Sequence, residues 1–166
     1  MQKSILVLGD SLSKGIVLDE ETNRYTILPD SFFSLLSQSV NARMINASRF
    51  GSTVAQGQRW LEIKMDKYNP DIVVIEFGGN DCDFRWDDIA DDPMQDHAPN
   101  TPLEVFEEKL AGMIDYIRQR GKKPVLTNLP PVHADSYFKW FTNCDREKGT
   151  KILKWLKDIW RIYWWQ

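Results

Sequence analysis

Three short turns carry side chains that could act together. Ile5-Leu6-Val7-Leu8 runs into Gly9-Asp10-Ser11-Leu12, residues 42–47 lead to a loop through Gly51, and Ile72-Val73-Val74-Ile75 leads into Gly78-Gly79-Asn80-Asp81. Short apolar, β-branched runs of this kind read as buried parallel strands. Turns at the carboxyl ends of parallel strands share one sheet edge, where open α/β folds bind ligands. A serine hydroxyl, a glycine amide and an asparagine carboxamide on that edge are the equipment for acyl transfer: a nucleophile, and donors aimed at a developing oxyanion. Ser11 is the candidate nucleophile. The plainer alternatives are a turn or capping serine at Ser11 and a simple tight turn at Gly78-Gly79.

The elements that would position these turns alternate along the chain. The first strand covers Ser4–Leu8, and residues 10–28 read as a polar loop. A helix is expected from Asp30, with Phe32, Phe33, Leu35 and Leu36 on its buried side. A second strand over 42–47 precedes a helix capped by Ser52 or Thr53 and carrying Trp60, Leu61 and Met65. The third strand is Asp71–Phe77. A long acidic loop runs from Cys82 to Asn100. Thr101-Pro102-Leu103-Glu104 reads as a capping box opening a helix with an apolar stripe from Leu103 to Ile117 and closed by Gly121. The fourth strand is Pro124–Leu129, stopped by Pro130-Pro131. Asp145 opens a last helix that runs nearly to Gln166. Alternation of this kind predicts a parallel sheet with helices on both faces. No repeat or linker divides the chain, so residues 1–166 read as one domain.

Composition narrows the function classes. The chain has 166 residues, 42% hydrophobic and 27% charged, as in an ordinary globular domain. A net charge of −3 gives no global attraction to nucleic acid or to anionic membranes, and no apolar stretch is long enough to span a bilayer. Met1-Gln2-Lys3-Ser4 runs straight into the first strand without a signal-peptide pattern. Cys82 and Cys144 fit no metal spacing and read as free thiols in a reducing, cytoplasmic setting.

The three blocks, in this order and each after a strand, resemble those of the SGNH hydrolases, the GDSL esterase/lipase family. Gly9-Asp10-Ser11-Leu12 matches the first block, Asn46 to Thr53 with Gly51 the second, and Gly78-Gly79-Asn80-Asp81 the third. The resemblance spans residues 4 to about 132. It implies a three-layer α/β/α, flavodoxin-like fold with strand order 2-1-3-4, and hydrolysis of small acyl or acetyl esters through an acyl-enzyme, with no cofactor and no metal. Ser11 would attack the carbonyl. The amides of Ser11 and Gly51 and the side chain of Asn80 would form the oxyanion hole, while Asp10 and Asp81 would organise their turns. The family's Asp-x-x-His block has no counterpart: Met94 stands three residues before His97, and Pro130 three before His133. The expectation is a domain shortened before its fifth strand and that block, and impaired as an esterase.

Other residues allow a sharp and a plain reading. His97 is a replacement base or a solvated loop histidine, and the plain reading is preferred. His133 lines the pocket or simply follows the fourth strand. Trp86 and Phe84 contribute to the pocket or pin the acidic loop. The aspartates of that loop match no EF-hand spacing and read as solvated. The carboxyl-terminal helix sets Lys148, Lys151, Lys154, Lys157 and Arg161 against Ile152, Trp155, Leu156, Ile159, Trp160 and Tyr163. It covers the sheet or, with Tyr163, Trp164 and Trp165 exposed beside an open fourth strand, mediates self-association. The rival functions are a non-catalytic ligand-binding module on the same fold and a nucleotide-binding domain. The latter is disfavoured because Gly9-Asp10-Ser11-Leu12-Ser13-Lys14 is not a Walker loop.

Overall fold

The computed structural model describes residues 2–19, 21–22 and 24–164. In chain order these form β1 (Lys3–Gly9), α1 (Ser11–Lys14), β2 (Ile16–Asp19), β3 (Arg24–Ile27), α2 (Phe32–Ser39), β4 (Ala42–Asn46), α3 (Val54–Tyr68), β5 (Ile72–Glu76), α4 (Trp86–Asp91), α5 (Leu103–Gln119), β6 (Lys123–Leu126), α6 (Ala134–Thr142), α7 (Arg146–Leu156) and a short 3₁₀ helix (Ile159–Trp164).

The main sheet is parallel, in the order β4-β1-β5-β6. This is the expected 2-1-3-4 order of the four strands read from the sequence. The crossover through α2 leads one way from β1, and those through α3 and α5 lead the other way. Right-handed crossovers therefore put α2 on one face and α3 and α5 on the opposite face, giving the three-layer α/β/α arrangement. Alternation within the strands does the same sorting: Leu6, Leu8, Val73 and Ile75 point toward α3 and α5 and bury against Leu61, Met65, Met113 and Ile117. Each such side chain contributes about 1.5–3 kcal/mol through removal from water.

Several elements differ from the sequence expectation. The polar loop over 10–28 contains α1 and an antiparallel hairpin, β2–β3, that forms its own two-stranded sheet. In α2, Phe32 and Leu35 are 44% and 53% exposed rather than buried, and Ser31 caps the helix. The acidic loop contains α4. The expected capping box at Thr101 does not form: Pro102 occupies the cap position, and the Thr101 hydroxyl donates instead to Asp81, 2.7 Å away. The single last helix expected from Asp145 is one α-helix, α7, followed by a 3₁₀ helix. Asp145 caps α7 as expected, but α6 precedes it and Lys157, at φ 69°, ends it.

These carboxyl-terminal elements do not cover the sheet. With α4 they build a second apolar cluster, in which Trp86 stacks on Phe141 at 4.0 Å and Ile152, Leu156 and Ile162 are buried. Trp160 and Tyr163 stack on each other near the surface. The Trp164 side chain and Trp165 lie outside the described residues. No helix among the described residues is long and apolar enough to cross a membrane.

Candidate active site

Ser11 opens α1 directly beyond the carboxyl end of β1. The helix begins there because Asp10 caps it, its Oδ1 accepting the Leu12 amide at 2.8 Å. Beneath this turn lies a residue the sequence reading missed. Glu76, the last residue of β5, is buried, and its Oε2 accepts from the Ser13 hydroxyl at 2.7 Å and from the amides of Asp10 and Ser13 at 3.3 Å. Glu76 thus ties the nucleophile turn to the centre of the sheet. The signal was present in the sequence as a lone acid closing an apolar strand.

Asp10 and Glu76 are both buried and face one another. Burial first, and the Glu76 charge second, push the Asp10 carboxyl up from 3.8 to about 7. The approach is close enough to require glycine before it: a Cβ on Gly9 would lie 2.7 Å from the Glu76 carbonyl, Glu76 Oε2 and Ser13 Oγ. Gly9→Ala is expected to destabilise the protein by about 1–3 kcal/mol, read as a lower urea midpoint. An unchanged midpoint would show that this contact is slack.

The second block lies against the first. Asn46 Nδ2 donates to the Ser13 carbonyl at 2.9 Å, and the Arg49 amide donates to the Gly9 carbonyl at 3.0 Å. Gly51 turns the chain at φ 67°, in the left-handed region that favours glycine. The third block closes the arrangement. Asn80 Nδ2 donates to Asp10 Oδ2 at 2.8 Å and to the Ser52 carbonyl at 3.0 Å, and so links all three turns. Asp81 is buried and holds the start of α3, both its oxygens accepting from the Val54 amide at 3.0–3.1 Å. Burial raises its carboxyl, against the lowering by Thr101 and Val54.

Ser11, Gly51, Asn80 and Asp10 line one cleft of about 570 Å³, within the range of small-molecule sites. The hairpin forms one wall through Ile16, Leu18 and Tyr25. The other wall comes from the segment after β6 and from α6, including Val132, Tyr137 and Trp140. Three residues singled out from sequence lie elsewhere. Trp86 is buried in the second cluster, with Nε1 donating to Asp83 at 2.9 Å. His97 Nε2 lies 2.8 Å from the Asp92 carbonyl, and its ring meets Trp155 edge-on. His133 caps α6, its Nδ1 accepting the Ser136 amide at 3.3 Å. No histidine lines the cleft among the described residues, and Ser11 Oγ has no hydrogen-bond partner among them. Cys82 also lines the cleft, but burial raises its thiol to about 11, so it stays protonated near neutral pH and does not compete with Ser11.

A parallel α/β/α sandwich with serine, glycine and asparagine turns at its carboxyl edge has the architecture of the SGNH hydrolases. The chain belongs to the GDSL-like Lipase/Acylhydrolase family, whose sequence profile matches residues 7–159. It is 30% identical over 141 residues to an arylesterase of Vibrio mimicus, a match covering 84% of this chain and 62% of that protein. It is 30% identical over 142 residues to Esterase TesA of Pseudomonas aeruginosa, with the same coverage of 84% and 62%. The chain thus spans less than two thirds of the length of these relatives. Its fold is similar to that of a lipase/acylhydrolase from Enterococcus faecalis, with a TM-score of 0.58 at 24% identity, covering 95% of this chain and 71% of that one.

Proposed function

We propose that this site hydrolyses small carboxylic esters through an acyl-enzyme on Ser11. The observation that carries this reading is the convergence of Ser11, Gly51 and Asn80 on one cleft, with Asp10 bonded to both the Ser11 helix and the Asn80 amide. Ser11 Oγ forms the bond to the carbonyl carbon, and its proton passes to a base. The tetrahedral oxyanion is held by the amides of Ser11 and Gly51 and by Asn80, which exchanges one of its present acceptors for the oxyanion. Collapse expels the alcohol, and water then releases the acid. Neither a metal nor a cofactor takes part.

The base is the step for which no histidine lines the cleft among the described residues. His97 and His133 are engaged elsewhere, and a serine hydroxyl without a base is a weak nucleophile. Donors and binding alone sustain about 10³- to 10⁴-fold catalysis over water, so this chain is expected to be a slow esterase. The same observation favours a second reading, a ligand-binding module without turnover.

Hydrolysis of 4-nitrophenyl butyrate, with imidazole as a diffusible base, separates the two. The expected result is a slow rate that rises with imidazole in the parent chain, and no such rise in Ser11→Ala beyond the reaction of imidazole alone. Identical rates in both, with tight binding of an ester analogue, would favour the binding module. A fast Ser11-dependent rate without imidazole would place a base within the chain, and His97→Ala and His133→Ala would then find it.

A further inference from the structure

Two aromatic pairs, Tyr25–Phe50 and Tyr137–Trp140, line the cleft that holds Ser11. In the first, Tyr25 and Phe50 have ring centroids 4.7 Å apart and are 52% and 54% exposed. In the second, Tyr137 and Trp140 stack at 5.6 Å, and Trp140 is 49% exposed. Three large aromatic side chains, Tyr25, Phe50 and Trp140, left about half in water along one cleft call for an occupant. Nothing in the main sheet requires the hairpin, because β2 and β3 pair only with each other.

The polar content of the same surface narrows the occupant. Among the described residues no lysine, arginine or histidine lines the cleft, and its only charged residues are Asp10 and Asp83. Asp10 is buried and bonded to Leu12 and Asn80. Asp83 accepts from Trp86 Nε1 at 2.9 Å. An anionic group on the substrate would find no counter-charge here and would lose its hydration on entry.

We infer that the cleft selects uncharged esters carrying an apolar group, and that the pair formed by Tyr25 of the hairpin and Phe50 of the Gly51 loop is the specificity-determining clamp for that group. Acetyl esters, thioesters of anionic carriers and phosphorylated lipids are then poor ligands, because they lack either the apolar length or the neutrality. The inference rests on the esterase reading for the word ester. The clamp itself is a statement about binding and is tested separately from turnover.

The test is calorimetric titration of the parent chain with N-(4-nitrophenyl) amides, from acetyl to octanoyl. These keep the shape of the ester but resist hydrolysis. Affinity is expected to rise about two- to fourfold per methylene, the upper figure being that of a fully buried methylene, and an ω-carboxylate on the longest chain is expected to abolish the gain. Tyr25→Ala and Phe50→Ala are expected to flatten the series to less than about twofold per methylene. Both side chains are half exposed, so the variants should fold, which circular dichroism checks. Trp140→Ala probes the opposite wall. Affinity independent of chain length, a series unchanged in Tyr25→Ala and Phe50→Ala, or binding only to neutral lipid vesicles would overturn the clamp. If the amides show the series and Ser11-dependent hydrolysis is absent, the clamp stands and the esterase reading fails. If Ser11-dependent hydrolysis proceeds with a flat series, the reverse holds.

Discussion

Replacing Asn80 with alanine is expected to slow ester hydrolysis by about 100- to 1,000-fold at saturating imidazole, with little change in KM. The magnitude is that of one oxyanion donor removed. The Asn80 side chain bridges the three turns, reaching Asp10 at 2.8 Å and Ser52 at 3.0 Å. Its loss also leaves the buried Asp10 carboxyl without one donor, a cost of about 1–3 kcal/mol. The two effects separate by measurement: kcat reports the transition state, and thermal unfolding reports the lost bonds. A rate reduced less than tenfold, together with a clear loss of stability, would make Asn80 a structural bridge and remove it from the oxyanion hole.

The buried pair beneath Ser11 gives the second large effect, on stability. The folded chain holds the Asp10 proton more tightly than the unfolded chain, because burial and the facing Glu76 raise the carboxyl from 3.8 to about 7. Between those values the unfolded state has released a proton that the folded state keeps. Stability should therefore fall as pH rises from about 4 to about 7, and level off above. Asp81 adds a smaller push in the same direction. Glu76→Gln removes the facing charge, keeps an acceptor for the Ser13 hydroxyl and offers an amide to Asp10. Since Glu76 Oε1 has no partner, the substitution sacrifices no hydrogen bond there. The variant is expected to be more stable than the parent at pH 8, on the order of 1–3 kcal/mol, with a flatter profile from pH 5 to 8. A parent whose stability rises over that range, or a variant less stable at pH 8, would contradict this account of the pair.

The sheet and its turns were legible in the sequence because their signals are local. Ile72-Val73-Val74-Ile75 is apolar on both faces, as a central parallel strand must be, and Ser11, Gly51 and Asn80 each lie within about five residues of a strand's carboxyl end. The hairpin was harder to see. Ile16-Val17-Leu18 and Tyr25-Thr26-Ile27 are strand-like, but the charged turn residues between them made the whole segment resemble a loop. A segment polar in its middle and β-branched at both ends is a hairpin signal. Helix α6 was hidden in the same way behind Pro130-Pro131, although Tyr137, Phe138, Trp140 and Phe141 already had helical spacing.

What spacing could not convey is which groups meet across elements. The Asp81 carboxylate reaches beyond its own turn, accepting from the Val54 amide at the start of α3, next to the cap Thr53, and from the Thr101 hydroxyl. Trp86 was a candidate pocket residue because it follows the Asn80 turn closely. It folds away from the cleft because Phe141, 55 positions further on, offers it a stacking partner. The deepest omission was Glu76, whose role depends on its partners on α1, more than 60 residues earlier in the chain.

The most direct test of Ser11 as nucleophile is to trap the acyl group. Trypsin releases Ser4–Lys14 as one peptide, which holds Ser4, Ser11 and Ser13 together. The chain is incubated with 4-nitrophenyl butyrate and imidazole, quenched in acid, digested and sequenced by mass spectrometry. One butyryl group is expected in that peptide, on Ser11, and none in the same peptide of Ser11→Ala. A butyryl group on Ser13 or Cys82, or hydrolysis that continues unchanged in Ser11→Ala with no acylated peptide, would contradict Ser11 as the nucleophile.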